Sequence, residues 1–155
     1  MIGGDPEELH DLATRTRRWA AELDDTAAAV AQGRGVQWAG PAADRYRDRL
    51  VAHALAVEAA RGEVDGLAGA LDALGDALAE RQAQIRRAEV FVLGIVDDAR
   101  RTAERLAGVA EDILSFGERA ARDTAHFVLD TVVSLPLPGE PAWEGLAKQL
   151  GRVER

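Results

Sequence analysis

The sequence predicts an all-α protein: an elongated antiparallel helical hairpin, continued by a third long helix and a short C-terminal one. Three observations carry this expectation. The chain is 47% hydrophobic but only 5% aromatic, and much of its apolar share is alanine, the best helix former, which permits close helix approach while burying little surface. Apolar residues recur at steps of three and four along two long stretches, 5–32 and from Pro41 onward, the signature of helices with one apolar face. No proline stands between Pro41 and Pro136, so the second stretch lacks the strongest helix breaker. A chain of 155 residues is long enough for one domain, or a domain with an extension, to bury a core.

The first helix has a defined start. Asp5 is its cap, Pro6 takes the first helical position and Glu8 completes a D-x-x-E capping box. Leu9, Leu12, Thr16, Trp19, Leu23, Ala27 and Val30 then line one face, and Gly33 and Gly35 end the helix. Its span of about 27 residues corresponds to roughly 40 Å. The second helix carries Ala43, Tyr46, Leu50, His53, Val57, Ala60, Val64, Leu67, Leu71, Leu74, Leu78 and Ile85, a period close to the 3.5 of a coiled-coil seam. Helix 1 matched residue for residue against this seam covers it only to Leu67. Leu67, Leu71, Leu74, Leu78 and Ile85 are therefore expected to meet a third helix or another chain.

The stripe resumes at Leu106, Val109, Ile113 and Phe116 and continues through Phe127, Leu129 and Val133. One helix over this whole length departs far from ordinary helix lengths. The preferred break is Gly94, inside the apolar run 90–96 and ahead of Asp97-Asp98 as a cap; the alternative is Ser115-Phe116-Gly117. The proline-rich stretch Leu135-Pro136-Leu137-Pro138-Gly139-Glu140-Pro141 closes the helical body, and a short helix over 142–153 follows. The organisation expected is a hairpin over 5–93, a helical extension over 94–134, and a linker with a terminal helix over 135–155.

Composition narrows the function classes. With 27 acidic against 19 basic residues the net charge is −8, which disfavours nucleic acid and anionic lipid as partners. Absence of cysteine removes disulfide and thiolate chemistry. The start of the chain has no basic, apolar leader, so export by the general pathway is not expected. The longest apolar run, 90–96, is far short of the ~20 residues that span a bilayer, so stable membrane insertion is not expected.

Residues able to carry chemistry are dispersed. Of the three histidines, His10, His53 and His126, only His126 has a neighbour at ligand spacing, Asp130, and two ligands do not hold a metal tightly. His53, within the seam, reads as a packing residue, with a pH-sensitive association as the alternative because imidazole as a group titrates near physiological pH. Consecutive acids, as in Asp24-Asp25, Asp97-Asp98 and Glu111-Asp112, diverge by about 100° on a helix. Serine occurs only at 115 and 134, outside any nucleophile motif, and no phosphate-binding loop is present. No catalytic residue, metal or cofactor is expected. Gly62, Gly66 and Gly69 each cost helix 2 roughly 1 kcal/mol against alanine; close packing against Trp19 or another bulky neighbour, or a gentle kink, is their expected reason, with a hinge where helix 1 stops covering helix 2 as the alternative.

The most informative local feature is Trp38-Ala39-Gly40, in the glycine-rich connection between the two helices. An aromatic set there can plug the gap where two helices diverge, Gly40 frees the chain to reverse, and Pro41 suits the first turn of a helix. The stretch Trp38-Ala39-Gly40-Pro41-Ala42-Ala43-Asp44-Arg45-Tyr46-Arg47 resembles the Trp-X-Gly family of small helical hairpins, substrates of type VII secretion. The resemblance covers residues 5–90. It implies that Trp38 and Gly40 form the turn, and that the partner is another helical hairpin, in a homo- or heterodimer read by a secretion ATPase. It also implies a cytoplasmic stage followed by a secreted or cell-envelope location. The family's Y-x-x-x-D/E export pattern after the second helix is missing, since the single tyrosine is Tyr46; in a heterodimer of this family the partner can carry that signal. Trp143-Glu144-Gly145 matches by letters, but no second long helix follows it. The function expected is that of a non-catalytic secreted substrate, partner or targeting module. The alternatives are a structural ring or bundle assembled through the exposed stripe, and a membrane-active helical protein using 90–96 and 127–137.

Overall fold

The computed structural model describes residues 4–35, 37, 39–110 and 112–151. The protein is all-α, 83% helical, with no strand among the described residues. Helix α1 spans Pro6–Gln32 and runs into a 3-10 turn at Gly33–Gly35; α2 spans Pro41–Leu106, α3 Phe116–Thr131 and α4 Ala142–Leu150. The chain divides into two compact units, Gly4–Ala79 and Glu80–Arg155, and α2 contributes to both.

In residues 4–79, Asp5 caps α1 by accepting a bond from the Glu7 amide at 2.9 Å, with Pro6 opening the helix. Contacts descend α2 as α1 is ascended: His10 meets Asp72, Asp24 meets Arg61, and Gly33 lies beside Leu50. The two helices therefore run antiparallel. Their register differs from the expected one for a clear reason. The end of α1 sits beside Leu50 and Tyr46 rather than beside Pro41. The whole pairing slides along α2: His10 of α1 reaches Asp72 and Asp76, past Leu67, and a Cβ built on Gly4, just ahead of α1, would be 3.0 Å from a Leu78 methyl.

Half of the seam is built from alanine, glycine and threonine. On α1 it comprises Leu9, Ala13, Thr16, Ala20, Leu23, Ala27 and Val30, and on α2 Ala43, Leu50, Ala54, Val57, Val64, Ala68, Leu71, Gly75 and Leu78, all buried or half-buried. Its fully covered members are Ala13, Thr16, Ala20, Ala43, Ala68 and Gly75. The buried Thr16 hydroxyl is satisfied by donating to the Leu12 carbonyl at 2.8 Å. Half of the expected α2 seam holds. Tyr46, His53, Leu67 and Leu74 are each one residue off it and exposed, because the chain turns the smaller neighbours Ala54, Ala68 and Gly75 inward. Trp19 likewise leaves the α1 face for solvent.

Helix α2 does not break at Gly94. Asp97 and Asp98, the expected cap, instead pair along the helix with Arg100 and Arg101, and an exposed glycine alone does not outweigh propagation of the helix on both sides. The interruption comes after Leu106, at Gly108 with φ +80. The alternative break site is the start of α3: Ser115 accepts from the Glu118 amide at 3.2 Å while Glu118 accepts from the Ser115 amide at 2.9 Å, a complete capping box.

Residues 80–151 have a denser core, made of Ile85, Val92, Val96 and Ala99 from α2, Ala125 and Val128 from α3, and Trp143 and Leu150 from α4. Trp143 fixes α4 in this core, and its indole N–H donates to the Leu137 carbonyl at 2.9 Å. Arg81 pairs with Glu144, and Glu89 accepts from the Gly139 amide at 3.3 Å. These returns of the C-terminal segment onto 81–92 explain why the division of the chain falls at 79/80, ahead of the 93/94 boundary expected from the sequence.

Candidate recognition site

Two rows of residues flank the seam of 4–79, and their chemistry differs. In an antiparallel pair of helices with a 3-4 seam, the residue after each first seam position of one helix faces its counterpart on the other, and the residues before the second positions face each other on the opposite side. The first flank comprises His10, Arg17 and Asp24 of α1 with Asp72 of α2, joined by Arg61, which stands in the seam series between Ala54 and Ala68 and reaches Asp24. It is closed by ion pairs: Asp24 with Arg61 at 2.7 Å, Arg17 with Asp72, and His10 with Asp72 at 3.0 Å and with Asp76 at 3.5 Å. The Arg17 guanidinium, and then the His10 ring, hold the Asp72 carboxyl below the usual carboxylate range. The hydrogen bond to Asp72 in turn raises His10 above its ordinary value.

The second flank comprises Leu12 and Trp19 of α1 with Tyr46, His53, Ala60, Leu67 and Leu74 of α2, the α2 members recurring every seventh residue. Its large side chains are open to solvent: Trp19 is 56% exposed, Leu67 54% and Leu74 56%. Such a row on both helices widens a coiled-coil seam into the apolar face of a helix that belongs to a larger bundle.

The residues expected to act are thus distributed among three environments. Leu67 and Leu74 lie on the open flank, joined there by Trp19, which the sequence assigned to the α1 core face. Leu71 and Leu78 are half-buried seam residues, Leu78 beside Gly4. Ile85 is 1% exposed and belongs to the core of 80–151; it is covered by that core, which removes it from a partner surface. Trp38 lies outside the described residues. Gly40 adopts φ +112, the left-handed region that favours glycine, and its carbonyl accepts from Asp44 at 3.2 Å as α2 begins.

Gly62, Gly66 and Gly69 lie on the outward side of α2, with no atom of the described residues within 4 Å of a Cβ built on any of them. Close packing against Trp19 is not their reason.

Residues 80–151 contain a cavity of about 370 Å³ lined by Ala99, Thr102, Ala121, Thr124, Val128 and Leu150, among others. Two of its polar groups are already engaged: Asp98 pairs with Arg101, and the Thr124 hydroxyl donates to the Ala120 carbonyl. Nothing in it converges as an acid, base or nucleophile would. Among the described residues there is no cluster of three or more histidine, cysteine, aspartate or glutamate side chains able to hold a metal, and no helix long and apolar enough to cross a membrane. Compared with known proteins, the chain matches no family model, no curated protein and no solved structure.

Proposed function

We propose that this chain is a non-catalytic recognition module of the Trp-X-Gly type, acting as substrate, partner or targeting module of a type VII-like secretion system. The observation that supports this reading above others is the open flank of the hairpin, with Trp19, Leu67 and Leu74 each more than half exposed beside a seam that is otherwise closed. The opposite flank is occupied by its own ion pairs, so a partner approaches from one side. A second helical hairpin fits that side, because the α2 row repeats every seventh residue and a helix presenting the same repeat interdigitates with it. Magnitude decides how large the contact must be. Covering the open half of three such side chains contributes roughly 2–4 kcal/mol per chain, less than association itself costs. A stable complex therefore uses the length of the row, from Tyr46 to Leu74, and not one hot spot.

The partner is a hairpin, in a homo- or heterodimer whose combined surface a secretion ATPase reads. Because the Y-x-x-x-D/E pattern is missing here, the partner is expected to carry it. The chain resides in the cytoplasm before export and in the cell envelope or outside after it.

The test is the double variant Leu67→Glu, Leu74→Glu. Both residues are exposed, so stability should change by no more than about 0.5 kcal/mol, while capture of a second hairpin and appearance of the chain outside the cell should be lost. Normal pairing and export in that variant would place recognition elsewhere. Sedimentation of the wild-type chain alone separates the readings: a closed homo-oligomer that forms without a second protein favours the structural alternative.

A further inference from the structure

The geometry points to His10 as a protonation-controlled clasp that fastens the first turns of α1 to α2. Asp72 and Asp76 are one turn apart on α2, so their carboxylates rise from one face. Gly75, just before Asp76, leaves the helix surface bare, and the His10 ring lies across that bare patch. A Cβ built on Gly75 would stand 2.9 Å from both Cε1 and Nε2 of the ring. Nδ1 is 3.0 Å from an Asp72 oxygen and Nε2 is 3.5 Å from an Asp76 oxygen. Arg17, two turns further along α1, holds the other Asp72 oxygen. The charged groups around the ring are thus Asp72 and Asp76 from α2, and Asp11 and Arg17 from α1. The ring in this place leaves no room for a side chain at 75, where the chain has glycine, the poorest helix former after proline.

The two protonation states of the ring hold α2 differently. Neutral imidazole has one N–H and can serve one carboxylate, whereas imidazolium has two and serves both. Protonation therefore converts a one-point contact into a bridge over Asp72 and Asp76. The hydrogen bond to Asp72, with the charges of Asp76 and Asp72 adding to it, raises His10 above its ordinary value of 6.5. A raised folded-state value means that the clasp contributes fully below 6.5 and is lost as pH climbs through the raised value. Asp72, held below the usual carboxylate range by Arg17 and then His10, stays ionised across that window. With Asp72 ionised throughout, its pairing with Arg17 persists, so loosening is confined to the turns before Arg17. Those turns carry the half-buried Leu9, and Gly4 just ahead of them lies against Leu78 of α2.

The clasp is independent of the secretion reading, and hydrogen exchange tests it directly. Amides of residues 10–16 are followed in the full chain at about pH 5.5 and about pH 8, corrected for intrinsic exchange. In the wild type the local opening equilibrium should be smaller at acid pH, by a factor of about ten for each pH unit by which His10 titrates above its ordinary value. His10→Gln should abolish that difference. Gly75→Ala should abolish it as well, although alanine is the better helix former, because the methyl displaces the ring. Should either variant lose helical content, the wild-type ring titration by NMR decides alone. A His10 midpoint at or below 6.5, equal protection at the two pH values, or a difference that survives His10→Gln overturns the clasp.

Discussion

Residues 4–79 and 80–151 share helix α2 and the same 3-4 alternation along it, yet they hide opposite kinds of residue. In the first region the fully covered positions are Ala13, Ala20, Ala43, Ala68, Thr16 and Gly75, while Trp19, Leu67 and Leu74 face solvent. In the second, the covered positions include Ile85, Val92, Val96, Trp143 and Leu150. A buried methyl group contributes about 0.8 kcal/mol, against roughly 1.5–3 kcal/mol for a fully buried large aliphatic side chain. The first region thus gains little from depth and depends on helix propensity and close approach of two backbones. The second is stabilised by an apolar interior of its own. The contrast teaches where recognition can reside: a helix pair that leaves its largest apolar groups outside keeps unspent contact area for another chain.

The widest break of this contrast is at Trp143, which is 2% exposed and donates to Leu137. Trp143→Ala should cost roughly 3–5 kcal/mol, seen in chemical denaturation and in faster amide exchange across α3 and α4. A loss below about 1 kcal/mol would mean that the indole does not anchor α4. A smaller effect, by a different mechanism, is expected in the first region. Ala68 is fully buried in the thin seam, and Ala68→Leu adds volume where the helices are already close. Overpacking of this kind costs typically about 1–3 kcal/mol, and it should appear as a lowered melting temperature with α1 amides exchanging faster. If Ala68→Leu instead stabilises the chain, the seam has slack and the helices are not held at alanine distance.

Much of this architecture is legible from residue order alone, and the misses share one cause. The start of α1 at Asp5-Pro6, the reversal at Gly40 and the start of α4 at 142 follow from caps and breakers, which act locally. The α2 seam was half readable: positions 43, 50, 57, 64, 71 and 78 are common to the two possible stripes. The other half required a choice between Tyr46, His53, Leu67 and Leu74 and their neighbours Arg47, Ala54, Ala68 and Gly75. Choosing by size favours the first set; the protein uses the second, alternating Leu50, Leu71 and Leu78 with the small residues Ala54, Ala68 and Gly75 so that the helices approach closely. The α1 row carried the deciding signal, since Ala13, Thr16 and Ala20 keep the same 3-4 steps with small residues. The extent of coverage was missed because register depends on how far α2 projects past the end of α1, a tertiary quantity. Trp143 was missed as a core anchor because its role depends on the segment 132–141 returning α4 to α2. The place of Ile85 follows from the same return.

The smallest expected effect bears on the outer face of α2. Gly66 is exposed, sits in mid-helix, and has no atom of the described residues within 4 Å of a built Cβ. Gly66→Ala should therefore remove unfolded-state freedom without a steric cost, stabilising the chain by about 0.5–1 kcal/mol. Gly62→Ala should act similarly, and the two gains need not add in full, since residues four apart share a helix face. Thermal unfolding of the single and double variants at fixed pH measures this. The sign separates two accounts of these glycines. A gain means that the isolated chain tolerates a methyl there and that the glycines bring its own fold no benefit. A loss means that some element of the chain lies closer to this face than the open space around Gly66 indicates, and the first region would then hide more than its alanine seam.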